Sequence, residues 1–157
     1  MRIEILTLLI ISIICIIVVG LLSKSFKYSY TARKYLLSKS ELYFYKVLVN
    51  SLPHHYTVMC KVRLADIIYS TNKGKTRMYG FNKIKSKHID FLIVDSSTLA
   101  IKLAIELNDK SHLLPNRMLR DEFLTDALKD AGVMFKTVEN KYTYSNQEIE
   151  SILDALK

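Results

Sequence analysis

The 157-residue chain has no tryptophan, two prolines, four glycines and two cysteines. The cysteines, Cys15 in an apolar run and Cys60 in the polar remainder, leave no pair for an intradomain disulfide framework and fit a reducing compartment. No internal repeat or low-complexity stretch occurs, which excludes solenoid and biased-composition classes. Acids are scarce where cations are dense. Residues 1–100 carry fifteen Lys and Arg against five Asp and Glu, while residues 101–157 carry eight against ten, within a net charge of +8. A basic half of this kind faces something anionic.

What the chain has in quantity is apolar sequence at its start. Ile5 to Leu22 (ILTLLIISIICIIVVGLL) are eighteen consecutive uncharged residues, broken only by Thr7, Ser12, Cys15 and Gly20. That length matches the hydrocarbon thickness of a bilayer and predicts one transmembrane helix. A cleaved signal would have a shorter apolar region and a small-residue cleavage site, which VVGLLSKS supplies only weakly. Arg2 precedes the run, whereas Lys24, Lys27, Arg33, Lys34 and Lys39 follow it without an acid between them. The positive-inside rule then predicts a single-pass protein of the inner (cytoplasmic) membrane with its C-terminal domain in the cytoplasm. The expected organisation is an anchor over 1–23, a basic juxtamembrane tether over 24–37 and an α/β domain over 38–157.

Within that domain, SKSELYFYKVLVNSL predicts a helix from Ser38, an N-cap candidate, with Leu42, Tyr45, Leu48 and Val49 on its inner face and Pro53 beyond its end. YTVMCKVRL (56–64) reads as a strand, followed by a short helical turn over 64–69, and residues 70–87 as a basic connecting segment. HIDFLIV (88–94) is apolar on both faces, as a central strand is, and turns through Asp95-Ser-Ser-Thr into a returning strand at 99–107. A helix over 117–131 stopped by Gly132, a strand over 133–138 and a helix from Ser145 with Glu148 as its capping partner complete a mixed sheet flanked by helices.

Asp90 and Glu106 are the residues that demand explanation. An ionised carboxylate on an apolar strand costs several kcal/mol unless a cation, a proton or several donors compensate it. For two that are available to approach one another across a hairpin, a shared divalent cation is one explanation. Singly, each has a plainer reading: Asp90 paired with Lys87, Glu106 with Lys102 or Lys110, Glu41 favouring a helix N-terminus, His112 hydrogen-bonded in a loop.

These segments carry a resemblance. SKSELYFYKVL, HIDFLIVD, LAIELNDKSH and RDEFLTDALKDAGV resemble domain of unknown function 2726, of the PD-(D/E)XK nuclease-like superfamily, which is similar to the very-short-patch repair endonucleases. The resemblance covers nearly all of residues 38–138 and runs through Glu41, Asp90, Glu106, Asp109, His112, Arg120 and Asp121. It implies a restriction-endonuclease-like α/β fold, and Asn108 departs from it at the position of the motif lysine. It also implies Mg²⁺ or Mn²⁺ held by Asp90 and Glu106, with Glu41 binding a second cation or a bridging water and Lys110 or His112 positioning or deprotonating the nucleophile. Lys73, Lys75, Arg77, Lys83, Lys85 and Lys87, with Arg117 and Arg120 at a helix start, are the expected phosphate contacts of a DNA or RNA partner, and residues 5–22 are the membrane contact.

Overall fold

The computed structural model describes residues 2–22, 28–108 and 115–156, with the side chains of 3–18, 28–108 and 121–156. The chain divides into two units, Met1–Lys34 and Tyr35–Lys157. The first is dominated by one helix, α1 (Arg2–Leu22), whose large apolar side chains from Ile3 to Val18 are all exposed. It has no polar stripe. The expected span Ile5–Leu22 falls inside α1. Among the described residues no helix is long and apolar enough to cross a membrane; the described side chains of α1 stop at Val18, before the apolar run of the sequence ends.

The second unit begins with α2 (Lys39–Ser51), capped as expected: the Glu41 amide donates to Ser38 Oγ at 3.3 Å and the Ser38 amide to Glu41 Oε2 at 2.7 Å. Its inner face is rotated from the expected one. Phe44 and Leu48, one turn apart, are the buried pair, whereas Leu42 and Val49 are exposed. β1 (Tyr56–Arg63) and the single turn α3 (Leu64–Ile67) follow. The basic segment expected as a connection contains a helix, α4 (Gly74–Ile84), most of whose residues are charged, polar or glycine. β2 (His88–Asp95) and β3 (Ile101–Asn108) form the expected antiparallel hairpin, with Phe91 opposite Ile105 and Leu92 opposite Ala104. Asp95 locks the turn by accepting from the Ser97 hydroxyl, the Thr98 amide and hydroxyl and the Ser97 amide, which hold its carboxyl well below the usual range.

From β3 the chain crosses through α5 (Pro115–Asp130) to β4 (Phe135–Glu139), which pairs parallel with β3. Gly132, at φ 71°, supplies the left-handed residue that ends α5. α6 (Asn146–Leu153) opens with the predicted Ser145–Glu148 capping box and closes with a 3₁₀ turn over Asp154–Leu156. The strands lie in the order β1-β2-β3-β4. One apolar cluster joins Phe44 and Leu48 of α2 and Ile149 and Ile152 of α6 to Phe91, Ile93, Leu103, Ile105 and Leu107. The other joins Leu64, Ile84, Leu124 and Leu128 of α3, α4 and α5 to Ile89, Leu92, Val94 and Ala104. The unit is a mixed α/β layer structure, and β2 is buried on both faces, as its unbroken apolar run demands.

Candidate functional site

The antiparallel ladder between β2 and β3 ends at Phe91 and Ile105, and the acids sit at the next step. There the two strands stop exchanging backbone hydrogen bonds and side chains take over. The Leu107 amide donates to Asp90 Oδ2 at 2.9 Å, and the Asp90 amide donates to Glu106 Oε2 at 3.2 Å. Each carboxylate therefore satisfies a backbone donor of the opposite strand, which accounts for part of the cost of burying it. Among the described residues, Glu106 is the one buried charged side chain, 7% exposed.

On the other side of β2, Cys60 pairs with Phe91 and Val62 with Ile89, so Lys61 stands opposite Asp90. Lys61 has φ 55°, the left-handed region that costs a residue with a Cβ roughly 1–3 kcal/mol. Its effect shows in the packing. Strict alternation would send Met59 and Val62 to opposite faces, and likewise Ile89 and Leu92, yet all four pack on the α3–α5 side. The break in both strands is centred on Lys61 and Asp90. Lys61 Nζ lies 2.6 Å from Asp90 Oδ1 and 2.6 Å from Glu41 Oε1, so residues from α2, β1 and β2 meet at one point. Side-chain exposures of 30% for Lys61, 19% for Glu41 and 14% for Asp90 leave the cluster open to solvent at one side.

Burial alone would raise the Glu41 carboxyl and lower the Lys61 ammonium. Instead, bonds from Lys61 and Ser38 bring Glu41 below its ordinary value, and bonds from Asp90 and Glu41 carry Lys61 above its own. Glu41 and Lys61 thus each favour their charged form in the other's presence. Next to them, burial pushes the Cys60 thiol up despite the ammonium of Lys61, so it is a neutral packing group.

Glu41, Asp90 and Glu106 are thus brought to one region, Asp90 touching both of the others' networks. Lys61 was not anticipated by sequence reasoning. In YTVMCKVRL it reads as an outward residue of an ordinary strand, and the available signal was its position opposite Asp90 once the β1–β2 register is set. Lys110 and His112 lie outside the described residues, as do the side chains of Arg117 and Arg120. Lys73, Lys75, Arg77, Lys83 and Lys85 are exposed on and around α4, separate from the acids in the hydrogen-bond network, and Lys83 and Lys87 lie over the Phe123 ring at 5.8 and 5.0 Å.

The ammonium of Lys61 stands in for a cation. Two carboxylate oxygens from different elements hold it at 2.6 Å, as short charge-assisted hydrogen bonds. Among the described residues no three His, Cys, Asp or Glu side chains gather as a metal site. One or two carboxylates with waters are nevertheless the usual protein contribution to a magnesium site, so the donor set fits. Asn108 Oδ1 is buried with no donor among the described residues.

A family model described as a protein of unknown function (DUF2726) matches residues 33–156. An uncharacterized protein of Haemophilus influenzae is 30% identical over 128 residues, 80% of this chain and 63% of that protein. The chain therefore spans less than two thirds of the length of that relative. No solved structure matches.

Proposed function

The chain belongs to the DUF2726 family, and we propose that it is a membrane-anchored, divalent-metal-dependent nuclease acting on DNA or RNA at the cytoplasmic face of the inner membrane. The observation that carries this reading is the convergence of Glu41 Oε1 and Asp90 Oδ1 on a single cationic centre, with Glu106 bound to the backbone of Asp90. Mg²⁺ or Mn²⁺ would be held by Asp90 and Glu106 with Glu41 beside them, and when bound would offset charge on phosphoryl oxygens and acidify a bound water. The backbone bonds to Asp90 and Glu106 orient both carboxylates before any ligand arrives. The acid-free cations from Lys73 to Lys87, with Arg117 and Arg120, supply sequence-independent phosphate contacts, and Lys110 or His112 the proton acceptor. The sequence resemblance to PD-(D/E)XK nucleases supports the same assignment. The anchor rests on the eighteen-residue apolar run and on the uncovered circumference of α1, the orientation on the cations that follow it.

Asn108 favours a second reading, a non-catalytic module of the same fold that binds nucleic acid or a membrane partner, because an amide at the motif lysine position neither carries charge nor accepts a proton. One experiment separates the two. The full chain, purified in detergent, is incubated with plasmid and single-stranded oligonucleotide in Mg²⁺, Mn²⁺ or EDTA. Metal-dependent cutting that disappears in Asp90→Asn and Glu106→Ala supports the nuclease. Binding that weakens with salt, without metal-dependent cutting, supports the module, and cutting indifferent to both substitutions overturns the assignment of the site.

A further inference from the structure

Lys61 is the unexplained member of the acidic cluster. A lysine seeking only a surface ion pair needs no left-handed backbone, yet Lys61 adopts φ 55° on a strand, and both β1 and β2 break their alternation around it and Asp90. Strain held by the surrounding packing is a recurrent property of functional positions. The break turns the ammonium toward α2, where it bridges two carboxylates that would otherwise repel each other. The position where the sequence motif calls for a lysine holds Asn108, with no charge to offer.

Resting on the metal-dependent reading above, we propose that Lys61 is the lysine of this site and its resident cation: its ammonium holds Asp90 together with Glu41 until a divalent metal taken up by Asp90 and Glu106 displaces it from Asp90. The site is therefore self-neutralised, and metal must compete with a tethered charge to load. Without metal the ammonium keeps both acids pre-positioned, and expelling the lysine weakens metal binding.

The test measures Mn²⁺ affinity by electron paramagnetic resonance on the full chain in detergent, for wild type, Lys61→Met, Lys61→Arg and Asp90→Asn. Lys61→Met, which keeps the length and removes the charge, is expected to tighten Mn²⁺ about tenfold, equivalent to about 1.4 kcal/mol, whereas Lys61→Arg does not tighten it and Asp90→Asn loses binding. Equal or weaker affinity in Lys61→Met, with Asp90→Asn still losing binding, overturns the role of Lys61 and leaves the metal site standing. Absence of Mn²⁺ binding in wild type and Lys61→Met alike overturns both. A wild-type readout guards against a variant that fails to fold: acetylation by an amine reagent, mapped by mass spectrometry, should rise at Lys61 when Mn²⁺ is added and stay constant at Lys141. No metal-dependent rise at Lys61 counts against displacement.

Discussion

Single residues here act through the charges they hold apart or together. Glu148 caps α6 and accepts from Lys141 Nζ at 2.8 Å; that bond, then those from the Ser145 amide and hydroxyl, lower its carboxyl from 4.5 to about 2. A carboxyl depressed on folding stabilises the fold above its ordinary value and loses that contribution as protons bind the native state. The contribution of Glu148 is therefore complete above about pH 4.5 and fades toward pH 2. Glu148→Gln should flatten the acid limb of a urea-denaturation profile in that window and leave the profile above pH 6 parallel to wild type. An unchanged acid limb would place the acid sensitivity elsewhere. Lys61 works with the opposite sign. Its raised ammonium contributes below its ordinary 10.5 and loses that contribution as pH climbs through the higher folded value.

Among the elements, α2 does two jobs with one glutamate. Glu41 Oε2 caps the helix while Oε1 reaches Lys61, so the helix start and the acidic cluster share a rotamer. Ser38→Ala should cost about 1 kcal/mol in chemical denaturation, the usual value of such a cap, and loosen Glu41 at the same time. α4 is held differently. Gly80 lies so close to Ser70 that an added Cβ would stand 2.6 Å from Ser70 Oγ, and Ile84 is the one buried residue of the helix. Gly80→Ala is expected to destabilise by roughly 1–3 kcal/mol through overpacking, read as an earlier urea midpoint; an unshifted midpoint would mean that α4 is free to lift.

The helices also show what the sequence disclosed. The Ser38 cap and the Ser145–Glu148 capping box were legible because their chemistry spans four residues and needs no partner from elsewhere. The two-sided strand β2 and its hairpin with β3 were legible because an unbroken apolar run leaves few alternatives. α4 was not, since a helix that buries only Ile84, and approaches its neighbour through a glycine, has no apolar stripe to betray its period. For the site, Asp90 and Glu106 stood out as acids against apolar surroundings and Glu41 through the family resemblance, whereas Lys61 acquires meaning only from register and backbone conformation.

At the scale of the whole molecule, the chain joins a helix apolar on all sides to an α/β unit with its own two-faced core. If α1 is an anchor, the full chain expressed in a bacterium should stay in the membrane fraction after alkaline carbonate extraction, while the chain without residues 1–22 is released. Release of the full chain would remove the anchor from the proposal. β1 carries a further consequence of the kink at Lys61. Among the described residues β2 is its one sheet neighbour, and its Tyr56, Val58, Met59, Cys60 and Val62 would suit a flat template for a second molecule. A left-handed residue in the middle of that row interrupts the regular spacing of its outward amides and carbonyls, a device by which natural sheets resist aggregation through their open margins. The residue that neutralises the acids thus also protects the folded molecule from intermolecular strand addition.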